Sequence, residues 1–116
     1  MNPIDGPPFL LAAAKASVGP DRLSPLLDRA QTYLAAHYET YDRRYETVHE
    51  TDDAHLFFVE SGHWAGLADE LEMTDREADA VRRAHEEFLL HLGGKTGRKS
   101  EFETALELRE AAVIGR

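Results

Sequence analysis

Thr74-Asp75-Arg76-Glu77 constrains this chain more than any other stretch. A threonine with a glutamate three residues on has the spacing of a capping box: the hydroxyl accepts from the Glu77 amide and the carboxylate reaches back to the Thr74 amide. A helix therefore starts at Asp75, whose charge suits the positive end of the helix dipole. Met73 and Ala78 occupy the two positions of a hydrophobic staple. Ala78, Val81, His85, Phe88, Leu89 and Leu92 then recur at helical spacing. Gly93-Gly94 offers a left-handed cap and places the helix end near Leu92. A shorter helix before it carries Trp64, Leu67, Ala68 and Leu71 on one side. Ser61 to Gly94 thus reads as two helices joined by a tight turn.

The rest of the chain is placed around this pair. Met1 to Pro8 is rich in proline and glycine and reads as extended; Phe9 to Ser17 reads as a short helix ended by Gly19-Pro20. Ser24-Pro25 has the chemistry of a helix start. Leu26, Leu27, Ala30, Tyr33, Leu34, His37, Tyr38, Tyr41 and Tyr45 follow within an arc of about 140° at 100° per residue. The stripe could extend to Val48. Alternatively, Tyr45 to His49 pairs across the Thr51-Asp52-Asp53 turn with the apolar, aromatic and β-branched His55 to Val59. An isolated hairpin is marginal in water and needs a further layer or strand. Ala111 to Ile114 is a candidate third strand after a helix from about Ser100 to Glu110, or the last turn of that helix. Residues 93–100 read as a glycine-containing basic linker. The expected fold is α+β and mostly helical: four or five helices with a small antiparallel hairpin, in one domain spanning 1–116.

Composition narrows the function classes. There is no cysteine, which excludes disulfides, thiolate metal sites and thiol catalysis. The longest apolar run, Phe9 to Ala14, is too short to span a bilayer, and the amino terminus has no secretory pattern, so a cytoplasmic location without membrane contact is expected. The net charge is −9, from 22 acidic and 13 basic residues, and only Lys15, Lys95 and Lys99 are lysines. Scarce lysine with abundant carboxylates suits a high-salt cytoplasm, where the Debye length falls to roughly 3 Å at 1 M and carboxylate repulsion is screened.

No motif commits the chain to chemistry. The helix pair invites a helix-turn-helix reading, but Glu72 stands where that turn usually has glycine. Asp75, Glu77 and Asp79 would also face phosphate, which disfavours nucleic acid. Gly94-Lys95-Thr96 resembles the end of a phosphate loop, yet Leu89 stands where the first glycine belongs and a helix precedes it. Lys95, Arg98 and Lys99 remain a candidate anion contact. His37 and His85 lie in apolar stripes and are expected to face each other in the core, and no metal-ligand spacing is present. Ser61 and His63 are too close in sequence to form a triad. The four tyrosines between Tyr33 and Tyr45 read as half-buried rings with wet hydroxyls, or as the lining of a ligand pocket.

Phe58-Val59-Glu60-Ser61-Gly62-His63-Trp64, with Leu67-Ala68-Asp69-Glu70-Leu71, resembles a segment of small acidic proteins of halophilic archaea. The likeness extends from Asp21 to about Leu92. That family brings no assigned activity, and the resemblance implies provenance alone.

The function expected from these absences is a non-enzymatic protein-interaction module, binding a protein partner or a second copy, with no cofactor and no metal. Its candidate contacts are Leu90, Trp64, Tyr38 and Tyr41. Leu90 lies off the buried stripe and would be covered either by Phe102, Leu106 or Leu108 of the C-terminal segment or by another chain. A helix-turn-helix regulator using residues 64–92 is the alternative, and a small-ligand sensor built on Tyr38, Tyr41 and His37 is the third reading. The charge balance makes one prediction directly. Molar KCl should raise the thermal midpoint by several degrees through screening of carboxylate repulsion. Circular-dichroism melts at low and molar salt check it, and an unmoved midpoint refutes the high-salt reading.

Overall fold

The structure, a computed structural model, describes residues 2–116. In chain order it contains α1 (Gly6–Ala16), α2 (Pro20–Ala36), α3 (Tyr38–Arg44), β1 (Thr47–Glu50), β2 (Ala54–Glu60), α4 (His63–Leu67), α5 (Asp75–Thr96), α6 (Lys99–Ala105) and β3 (Arg109–Gly115). The fold is α+β and mostly helical, with the hairpin and the third C-terminal strand in one antiparallel sheet of order β1-β2-β3. Six helices form among the described residues, rather than four or five. No helix among them is long and apolar enough to cross a membrane.

The capping box at Thr74 forms as its spacing dictates. Thr74 Oγ1 accepts from the Glu77 amide at 3.1 Å, and Glu77 Oε1 accepts from the Thr74 amide at 2.8 Å. Glu77 also accepts from Arg22 at 2.9 Å, tying this helix start to α2. The turn before it bends at Glu72, in left-handed geometry at φ 55°. Arg29 holds that turn by donating to the Leu71 and Glu72 carbonyls at 2.8 and 3.1 Å.

Several boundaries move. α1 begins at Gly6, because Pro7 and Pro8 fall in its first turn, where a missing amide costs nothing. α2 begins at Pro20, capped by Gly19, and carries Pro25 in its interior; burial of Leu23, Leu26 and Leu27 outweighs the one lost bond. The stripe from Leu26 to Tyr45 is broken at His37, whose φ of −112° and ψ of 15° leave the helix and re-aim α3. Val48 lies in β1, so the hairpin forms and the continuous helix does not. α4 stops at Leu67, short of Leu71.

α5 runs past Gly93-Gly94 to Thr96, and Gly97, at φ 75°, is its left-handed cap. Gly93 serves packing instead. A side-chain carbon there would lie 2.7 Å from a Phe102 ring carbon and 3.0 Å from the Lys99 backbone, so only glycine lets α6 close onto α5. Residues 93–100 are therefore mostly helical rather than a linker. The last helix ends at Ala105, and Arg109 already begins β3.

β2 is the central strand, buried from Ala54 to Val59, and β3 is buried from Glu110 to Ile114, so the sheet is covered on both faces. Phe57 meets Tyr38 and Tyr41 of α3 on one face, and Phe58 meets Phe102 of α6 on the other. α1 lies along α5, joined by a 2.8 Å Lys15–Glu87 bond. Leu90 is half-buried and shares the lining of a groove with Pro7 and Leu11 of α1 and Lys99 and Glu103 of α6, so α1 is a neighbour that the sequence did not name for it. Leu108 points away, 80% exposed, while Phe102 is fully buried.

Replacing Thr74 by alanine should cost about 1 kcal/mol, within roughly 0.5–2, because one amide of the longest helix loses its acceptor. Urea unfolding of Thr74→Ala against the parent protein measures it.

Candidate functional site

The free edge of β3 determines what surrounds it. Antiparallel pairing with β2 matches Glu110, Ala112 and Ile114 to Val59, Phe57 and His55. Side chains from three helices meet the intervening residues. Trp64 Nε1 donates to the Ala111 carbonyl at 2.9 Å, and Gln31 Nε2 donates to the Val113 carbonyl at 2.7 Å. The Val113 amide donates to His85 Nδ1 at 2.9 Å, and the Gly115 amide to Gln31 Oε1 at 2.8 Å. His85 is therefore the Nε2–H tautomer. Glu110, on the same strand, accepts from the Gly62 and Trp64 amides at 2.8 and 3.1 Å and so caps the start of α4.

That cap sets the first turn of α4 in place, with Trp64 turned into the core and His63 lining a groove of about 260 Å³. Its walls are Tyr33, His37, Tyr41 and Tyr45 from α2, α3 and their flanks; Glu60 and Arg44 stand at its rim, and Gly62 and Gly66 leave its floor open. His37 stacks on Tyr33 with ring centroids 4.1 Å apart. Glu60 Oε2 accepts from the Tyr45 hydroxyl at 2.6 Å. The Tyr41 hydroxyl is hydrogen-bonded to His63 Nε2.

The charges in the groove are settled by burial and by these bonds. Burial pushes the His63 pKa down to about 4, so the ring is neutral at pH 7. Burial raises Tyr41 well above its ordinary value, and burial with the Glu60 bond raises Tyr45 to about 12. Partial burial works against the Glu60 charge, but the Tyr45 bond, a backbone bond and nearby positive charge hold its pKa below the usual carboxylate range. Glu60 is thus the ionised carboxylate among neutral aromatic groups. Tyr41 and His63 are therefore both neutral near pH 7.

The residues singled out from the sequence do not form one surface. Trp64 and Tyr41 are 1% and 4% exposed, in the core and not on an interaction face. Tyr38 is half-buried and bonded to His55 Nδ1 at 2.6 Å. His37 does not face His85: it stays at the groove wall, and Trp64 packs on His85 instead, with centroids 4.5 Å apart. Of the candidate anion contact, Arg98 is engaged within the chain. Arg98 makes two bonds to Glu101 and one to the Val48 carbonyl, which leaves Lys95 and Lys99 as separate exposed side chains. Arg82 and Arg83 are neutralised by Asp79 and Glu86 on their own helix. Glu60 and Glu110 had no sequence signal, because strand and turn geometry alone brings them to α3 and α4, and Arg44, at the end of α3, had none because its partner Glu60 lies on β2.

The DUF8048 family pattern, described as a domain of unknown function, matches residues 2–116. The chain belongs to this family. No curated protein and no solved structure matches it.

His63 and His85 lie against the same indole, with His63 edge-on at 4.7 Å, and His63 Nδ1 and His85 Nε2 are buried without partners. Burial pushes His85 down to about 3. Both folded values lie below about 6.5, the ordinary histidine value in the unfolded chain, so below that pH the unfolded chain binds more protons. Stability should be flat in this respect above pH 6.5 and fall as pH drops toward 4, by up to ~1.4 kcal/mol per pH unit for each histidine. Urea unfolding followed by Trp64 fluorescence between pH 7.5 and 5 (about the range above carboxylate titration) tests this. His85→Gln, which keeps an acceptor for Val113, should flatten the slope.

Proposed function

We propose that this chain is a non-enzymatic interaction module whose working surface is α1 and whose partner is a second copy of itself. The observation that carries the reading is the exposure of Leu10 and Leu11, 57% and 45%, on a helix without a single carboxylate. Between Asp5 and Asp21 the chain has no acid at all. With a net charge of −9, two copies repel each other over most of their surface, and α1 is where they approach at least electrostatic cost. The face is also self-complementary. Leu10 projects beside a shallow apolar notch lined by Ala13, Ala14, Val18 and Pro20, so a two-fold axis can set each Leu10 into the other copy's notch. The alanines allow close helix contact, and high salt strengthens both the screening and the apolar burial.

A cytoplasmic, high-salt setting fits the charge balance and belongs to this proposal. Sedimentation over a dilution series in molar KCl should show a monomer–dimer equilibrium. Leu10→Arg should abolish it while changing stability by no more than about 0.5 kcal/mol, as expected of an exposed site. A parent protein that stays monomeric at every concentration refutes self-association through α1.

A further inference from the structure

We infer that the aromatic groove between α3 and α4 is a binding site for a small organic cation, an alkylammonium or guanidinium group held against the tyrosine faces beside Glu60. This site shares no residue with the α1 surface and stands or falls separately from it.

Three features of the groove point to a cation. Two of its lining rings, Tyr33 and Tyr45, are half-buried tyrosines, and the face of such a ring attracts a cation. Glu60, the carboxylate at the rim, has one oxygen occupied by the Tyr45 hydroxyl; its other oxygen faces Arg44 only at 3.8 Å, with both side chains at least half exposed. The chain's own Arg44 already shows the mode of binding. Its guanidinium lies over the Tyr45 ring, 5.3 Å from the centroid, in a loose contact that a better-placed cation can displace. The space is also kept open by the backbone. A side-chain carbon on Gly66, inside α4, would meet no atom within 4 Å, so the glycine is not required by packing and leaves room that a larger residue would take. Gly62, at φ 87°, has the further role of the turn into α4. A volume of about 260 Å³ suits a compact headgroup rather than a nucleotide.

Arg44 gives the proposal a test that unfolding cannot imitate. Tetramethylammonium chloride is titrated at low ionic strength, with tert-butanol as a neutral molecule of similar shape, and the tyrosine ring and Gly62 and Gly66 amide resonances are followed by NMR. The expected result is a saturable shift with tetramethylammonium and none with tert-butanol at the same concentrations. Arg44→Ala removes the competing guanidinium and should tighten binding about two- to fivefold. Glu60→Gln should weaken it, and Gly66→Leu should eliminate it with circular dichroism and Trp64 fluorescence unchanged. No saturable shift with the parent protein, equal shifts from both probes, or weaker binding in Arg44→Ala would each overturn the assignment. If Gly66→Leu does not fold, the direction of the Arg44→Ala effect decides.

Discussion

The structure depends on how the outer edge of β3 is closed. A sheet edge carries a row of amides and carbonyls, and a buried edge without partners costs about as much as the lost bonds. Among the described residues no fourth strand supplies them. Gln31, Trp64 and His85 do, from α2, α4 and α5, and each must sit at hydrogen-bond distance from Ala111, Val113 or Gly115. Three helices are thereby registered against one strand by side chains that the apolar core alone would leave free to slide. Gln31 is the most specific of them, because its amide meets both a carbonyl and an amide of that edge. The cost appears at the same place: His85 gives one nitrogen to Val113 and leaves the other buried without a partner.

Glu110 links this edge to the groove. Its buried carboxylate takes the two amides that open α4, and charge-assisted bonds of this kind are among the stronger ones available to a chain. Because the cap fixes the first turn of α4, His63 meets Tyr41 while its neighbour Trp64 turns inward onto His85. The groove is thus mounted on an element tied by hydrogen bonds to β3. Tyr41, Tyr45 and His63 are held by hydrogen bonds and kept neutral chiefly by burial, and the ionised Glu60 stands at the rim.

The helix starting at Asp75 and the presence of a hairpin before it were legible from local chemistry. Thr74 and Glu77 need only each other, three residues apart, and the apolar, aromatic and β-branched run from His55 to Val59 needs only a turn before it. Boundaries that depend on distant partners were not legible. Gly93 has the look of a helix end, but α6 requires a residue without a side chain there, and the helix passes through. Pro25 reads as a start until the burial of Leu23 extends α2 back to Pro20. The tyrosines were read as one helical stripe, but the break at His37 divides them, sending Tyr33 and Tyr41 to the groove and Tyr38 to His55.

What the sequence determined by itself was the class of the fold, the capped helix and an acidic surface, because each follows from residues close in the chain or from composition; pairing with β2 decided that Ala111 to Ile114 is a strand rather than a helix end. The tertiary structure decided which polar residues carry the architecture and which surround a groove. Gln31, Glu60, Glu110 and Arg44 are unremarked polar residues until β3 lies beside α2 and the turn after β2 brings α4 against α3. Their roles come from contacts across 15 to 84 residues of chain, as between Tyr45 and Glu60 or Gln31 and Gly115. No periodicity or motif spacing encodes such contacts, because closing the chain over that distance is a property of the whole packed core.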